Sequence, residues 1–242
     1  MRVRLLLTLA AVGAAALVAV GSAGAAQNSN CPGGILASGN YLNVVVNGPC
    51  VTSGGPVFIQ GNLTVNGGGS FFNQGGFVGI SGNVAVFPKG ELILVGAEVG
   101  HSVSSDRALS IYLIESEIGF VGGNGVLIHG GGAATQVGAC SRTDIPVIGV
   151  PLAFVQDSAI AGNVTIDGAV SCANGVTGST IGGGVTFTNN RSDATSGGNA
   201  IGGNTISGNL FCRSNQPPPI ADGFGLNTVG GTINPSACLN LV

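Results

Sequence analysis

The chain has 242 residues, of which 45 are Gly and only 7% carry charge; the formal net charge is −3 and Trp is absent. Gly at this density excludes helix as the dominant element, because a Gly inside a helix costs up to ~1 kcal/mol relative to Ala. So few ionisable groups argue against a centre rich in acids, bases or metal ligands, and a mildly acidic balance argues against nucleic-acid binding, which needs cations for phosphates.

Residues 1–26 read as a secretory signal peptide. Arg2 and Arg4 form the positive start, Leu5 to Val20 are uncharged and rich in Ala, Leu and Val, and the small residues Ala23-Gly24-Ala25-Ala26 follow. That apolar run of 16 residues is shorter than the ~20 that span a bilayer. Cys31 follows the polar stretch Gln27-Asn28-Ser29-Asn30, which does not fit a lipoprotein cleavage point. Residues 27–242 are therefore expected to be secreted, extracellular or held at the cell surface, with no membrane segment after cleavage. Loss of the two arginines takes the formal charge from −3 to −5.

From Ile59 onward one phrase recurs: an apolar residue, any residue, Gly, often Asn, then an apolar alternation. It reads IQGNLTV at Ile59, ISGNVAV at Ile80, IAGNVTI at Ile160, IGGGVTF at Ile181, ISGNLFC at Ile206 and VGGTINP at Val229, with degenerate copies at Val99 and Val121. Asn43-Val44-Val45-Val46 fits a further copy before Ile59. The leading positions are 21, 19, 22, 39, 21, 25 and 23 residues apart, and the interval of 39 is read as two units. Alternation at Leu63/Val65, Val84/Val86, Val164/Ile166 and Val185/Phe187 is the period-2 signature of a strand with one buried face. Gly-rich stretches such as Asn66-Gly67-Gly68-Gly69 supply the turns.

One coil of this size cannot bury its own apolar residues, whereas stacked coils form a continuous column and satisfy each other's backbone groups. The expected fold is an all-β parallel β-helix solenoid of about ten coils of ~21 residues, a rod of order 50 Å. It forms a single domain over 27–242, with an N-terminal cap at 27–58 and a C-terminal cap at 207–242. An antiparallel sandwich or barrel is the alternative, since short alternating strands fit it too. The recurrent Asn is read as a ladder residue bonding along the stack. Asn62-Leu63-Thr64 and Asn163-Val164-Thr165 also match the glycosylation sequon.

The phrases Asn204-Thr205-Ile206-Ser207-Gly208-Asn209-Leu210 and Asn227-Thr228-Val229-Gly230-Gly231, with Cys212 and Cys238 after them, resemble those of secreted Gly-Asn-rich repeat proteins of high-GC Gram-positive bacteria. The resemblance covers most of 40–240 and is clearest over 155–238; residues 87–158 depart from it. It implies a right-handed parallel β-helix and export, and brings no catalytic residues.

Six cysteines in an exported chain point to three disulfides. Bridged Cα atoms lie within ~7 Å, whereas residues two coils apart are near ~10 Å, so partners must share a coil or occupy adjacent ones. Separations of 19, 32 and 26 residues then select Cys31–Cys50, Cys140–Cys172 and Cys212–Cys238. The first and last would clamp the ends. No C-x-x-C spacing suggests a metal, and neither metal nor other cofactor is expected.

Seven charged side chains fall between positions 89 and 117: Lys89, Glu91, Glu98, Asp106, Arg107, Glu115 and Glu117. Glu98 and Glu117 are 19 apart and could stack. One reading makes Glu98, Asp106, Arg107, Glu115 and Glu117 the catalytic or Ca²⁺-binding set of a carbohydrate-active β-helix, a polysaccharide lyase or hydrolase. The other makes them a solvated edge that keeps an uncharged rod soluble. No Asp-Asp pair and no Gly-His-Gly phrase accompanies them. His101 and His129 read as turn or surface residues, regular Thr-x-Thr columns are absent apart from Thr186-Phe187-Thr188, and Gln216-Pro217-Pro218-Pro219 reads as a stiff loop. The sequence therefore points to an exported structural or adhesive solenoid of the cell surface or extracellular matrix, without catalysis. Its expected partners are cell-wall or extracellular polysaccharide, or further copies of itself.

Overall fold

The computed structural model describes residues 26–73, 75–132, 140, 151–192, 198–234 and 236–242; the expected signal peptide lies outside them, Ala26 excepted. Every strand pairing is parallel, which rules out the antiparallel sandwich. A typical turn of the solenoid carries three short strands, such as Val78–Ile80, Val84–Val86 and Glu91–Val95, followed by Glu98–Val99, Ser102–Asp106 and Ser110–Ile114. Equivalent strands stack into three columns, here called the first, second and third faces; the third is an 8-stranded sheet. About eight turns, spaced by ~4.8 Å, give a rod near 40 Å long.

Coil stacking follows the repeat phrase. Tyr41, Ile59, Ile80, Val99, Ile118, Ile160, Ile181, Ile206 and Val229 form one in-register row along the first face. Leu63, Val84, Val103, Val126, Val164, Val185 and Leu210 form a second row, on the second face. All but Tyr41 and Val229 are buried, and each such aliphatic side chain is worth ~1.5–3 kcal/mol of transfer free energy. Ile118 pairs directly with Ile160, and Glu117 with Ala159. The interval read as two units is thus one turn, whose excess chain lies between the Gly125–His129 and Leu152–Gln156 strands. That removes one of the expected coils, and it places Ile118 rather than Val121 in the leading row.

The third face changes character along the rod. Its inward row runs Phe71, Leu92, Ile111 and Ala153, then becomes Asn174 and Asn199, both fully buried. Asn174 Nδ2 donates to Asn199 Oδ1 at 3.0 Å, Asn199 Nδ2 donates to the Pro217 carbonyl at 2.6 Å, and Ser171 Oγ donates to Asn174 Oδ1. A second buried ladder occupies the corner that leads from the third face back to the first. The backbone N–H groups of Ser116, Ser158, Ser179 and Asn204 donate to the side chains of Ser158, Ser179, Asn204 and Asn227 at 3.1, 3.1, 2.9 and 3.1 Å. Corner amides that the strands leave unpaired are satisfied this way, which keeps the cost of burying them low.

The cysteines pair as Cys31–Cys50, Cys140–Cys172 and Cys212–Cys238, with Cα separations of 6.3, 5.3 and 5.6 Å. Cys238 and Leu241 bury themselves from the 3₁₀ segment Ser236–Leu241, and the Asn227 N–H and Nδ2 both donate to the Leu241 carbonyl. This closes the C-terminal end of the core. Among the described residues no helix is long and apolar enough to cross a membrane.

Candidate functional site

The charges of 89–117 do not converge. Glu98 and Glu117 are paired across adjacent turns of the first face, both exposed, between Gly79 on one side and Ala159 on the other. Asp106 ends the second-face strand Ser102–Asp106, and Arg107, which bonds it at 3.1 Å, occupies the corner beyond. The length of that five-residue strand, roughly 16 Å, separates the glutamate pair from the arginine. Glu115 occupies the corner after the third face, and Glu91 is buried between Ser70 and Ser110 of the adjacent turns.

Corner geometry explains why several of these residues stand where they do. Lys89, Arg107, Gly130, Gly168, Asn189 and Ser214 form a column with φ of 67°, 51°, 59°, 69°, 57° and 55°, linked turn to turn by backbone hydrogen bonds. Gly96, Glu115, Asp157, Gly178 and Gly203 form a second one, with φ from 48° to 67°. Both are left-handed positions that Gly fills without cost. At Lys89, Arg107, Glu115 and Asp157 a charged side chain stands in place of Gly and projects from the rim, which is what a solvated edge requires.

One ionic row was not anticipated. Asp106, His129, Asp167, Thr188 and Arg213 follow one another in register along the second face. His129 Nδ1 lies 3.3 Å from Asp167 Oδ2, while Thr188 Oγ1 and Asn189 Nδ2 donate to Asp167 Oδ1 at 2.6 and 2.9 Å. Chiefly the Thr188 hydrogen bond holds the Asp167 carboxyl below its ordinary value; partial burial opposes it, and Asn189 and His129 assist it. The 21-residue spacing of Asp167 and Thr188 carried the signal, but neither belongs to the repeat phrase. Among the described residues no three His, Cys, Asp or Glu side chains gather as a metal site would require.

A concavity lies elsewhere, on the corner between the first and second faces over the last four turns. It has a volume of about 570 Å³, within the usual range for ligand sites, and is lined by Asn163, Thr165, Thr186, Asn209, Phe211 and Thr232 around Gly183, Gly184 and Gly208. Not one charged side chain lines it. The glycines let the turns and the amide approach closely: a Cβ at Gly183 would sit 2.3 Å from Asn163 Oδ1, so a side chain there would expel the amide. Asn163 Oδ1 accepts the Gly184 N–H at 2.8 Å, and Asn209 Oδ1 accepts the Thr232 N–H at 2.8 Å. The same bonding recurs where Asn43 and Asn62 accept the N–H groups of Asn62 and Asn83 at 2.9 and 2.8 Å. The Gly-Asn phrase is thus a ladder, and both sequon asparagines are rungs in it. A row of exposed single threonines, Thr180, Thr205 and Thr228, stands one per turn of the first face.

Comparison of the chain with protein-family models, with curated proteins and with solved structures finds no match.

Proposed function

We propose that the protein is an exported structural or adhesive solenoid of the cell surface or extracellular matrix, which acts by presenting long, sparsely charged faces for weak multivalent contact, without turnover. The proposed winding is right-handed, as the resemblance to exported Gly-Asn-rich repeat proteins implies. The observation that carries the reading is the dispersal of the 89–117 charges. Glu98 and Glu117 face outward on one face while Arg107 stands at the far corner of the next, bonded to Asp106. A lyase or hydrolase built on these residues would need the arginine and the carboxylates to converge on one sugar, and this arrangement spreads them over the surface. Three disulfides support an oxidising, extracellular setting.

A glycan array combined with a polysaccharide-cleavage screen on the purified protein tests the reading. Retention without cleavage supports it. Cleavage that disappears in Arg107→Ala or in Glu98→Gln would replace it with a carbohydrate-active enzyme. If no glycan is retained, light scattering decides whether the contact is with further copies of the chain.

A further inference from the structure

Resting on that adhesive reading, we infer that the corner groove at Asn163–Asn234 binds a neutral, extended glycan chain lying along the rod axis, with one sugar ring seated on Phe211. The floor of the groove is one in-register row, Thr165, Thr186, Phe211 and Asn234, contributed by successive turns; the row continues beyond the groove to Leu127. Its rim is the parallel row of Asn163, Gly184, Asn209 and Thr232, bonded turn to turn. From Thr165 to Asn234 is three turn spacings, about 14 Å, enough for several sugar units in a row.

The chemistry of the lining selects the ligand. A sugar ring has apolar C–H faces and a hydroxyl rim. Phe211 is partly buried on the floor and supplies an aromatic ring against which such C–H groups can pack, and Leu127, 47% exposed one turn beyond the groove in the same row, offers a second apolar step. Between them stand two threonine hydroxyls, each a donor and acceptor at once, as sugar hydroxyls are. The backbone bonds to Asn163 Oδ1 and Asn209 Oδ1 fix both amides, so that Nδ2 is the donor each can offer a ligand. Lacking cations, the groove gives no reward to phosphate, sulfate or uronate groups. The glycine corners let successive turns stack closely, so the groove is built from the repeat itself and does not require a loop to close.

The test is affinity electrophoresis of the purified protein through gels containing hydroxyethyl cellulose, xylan or glycol chitin, with polygalacturonate as the anionic comparison. Retardation is expected in at least one neutral gel, changing less than about twofold between about 50 and about 500 mM salt because no ion pair is involved. Phe211→Ala should weaken it about tenfold or more. The nearly isosteric Thr186→Val, which keeps the strand and removes only a hydroxyl, should weaken it severalfold, and Arg107→Ala should leave it unchanged. Retardation by neutral glycans that survives both groove variants overturns the groove assignment while leaving adhesion standing. Retardation only by polygalacturonate, or by nothing, also overturns it, and in the latter case the scattering measurement decides the adhesive reading separately.

Discussion

Asn204 and Asn227 stand one turn apart inside the rod, and Asn227 Oδ1 accepts both the backbone N–H of Asn204 at 3.1 Å and its Nδ2 at 2.8 Å. Asn204 in turn accepts the Ser179 N–H at 2.9 Å and donates to the Val176 carbonyl at 2.7 Å. Both amides are almost fully buried. An apolar core ordinarily rejects such groups, and here they persist because the corner from the third face back to the first leaves backbone donors that these side chains satisfy.

Asn204→Ala orphans the Ser179 N–H in a dry interior and removes the bond to the Val176 carbonyl, so unfolding in urea should show a loss of about 2–4 kcal/mol. Asn62→Ala removes an equivalent bond on the exposed corner, where water replaces it, and should cost less than about 1 kcal/mol. Equal losses at the two sites would refute the distinction between interior and exterior ladders.

Replacing Cys212 and Cys238 by Ala should cost about 2–4 kcal/mol, and the damage should stay local. Stacked turns contact only their neighbours, so deuterium uptake should rise over Leu210–Arg213, Thr228–Val229 and Ile233–Asn234 while Val84–Val86 keeps its protection. A uniform rise along the chain would mean that the rod unfolds as one unit.

Because the Asp167 carboxyl is held below its ordinary value, the native state binds fewer protons there than the unfolded chain does. The stability this provides is complete above the unfolded value, near ~3.9, and is lost as pH falls through the lower folded one. Thr188→Val removes the largest cause, so the titration of Asp167, followed by carboxyl NMR, should move up towards the ordinary range. Asp167→Asn should flatten the acid limb of the stability profile. An unchanged Asp167 midpoint in Thr188→Val would contradict the hydrogen-bond cause.

Arg107 occupies a left-handed corner with φ of 51°, and its ion pair with Asp106 is exposed. Arg107→Gly relieves the backbone cost and loses only a screened surface contact. Thermal unfolding should show stability unchanged or raised by up to ~1 kcal/mol. A clear loss would give the ion pair a structural weight that its exposure does not suggest.

Much of the architecture was legible in the chain itself. The phrase that begins at Ile59, Ile80, Ile160 and Ile181 recurs at a nearly fixed interval, and alternation within it marks the buried face. Those two facts require that the coils stack, and stacking restricts each cysteine to partners in its own or an adjacent coil. The amide ladder of Asn43, Asn62, Asn163 and Asn209 follows from the same repetition, since equal positions must meet in adjacent turns.

What escaped was whatever depends on the lengths of corners. Whether the stretch between Ile118 and Ile160 makes one turn or two is set by which strands pair, and an insertion leaves no periodic mark. The interior serines and asparagines, Ser158, Ser179, Asn204 and Asn227, stand two residues before the leading apolar positions Ile160, Ile181, Ile206 and Val229, and became a ladder only once the corners were superposed. The rows Asp106–His129–Asp167–Thr188 and Thr165–Thr186–Phe211 are likewise products of register. Proximity along the chain misled for the same reason: with three faces in one turn of about twenty residues, Glu98 and Arg107 face different directions, while Glu98 and Glu117, a full turn apart, are neighbours. The sequence therefore dictated the period, the buried stripe and the disulfide frame, all of which are local or repeat by rule. The tertiary structure alone decided which side chains share a surface, because in a solenoid that depends on the summed length of every strand and corner in between.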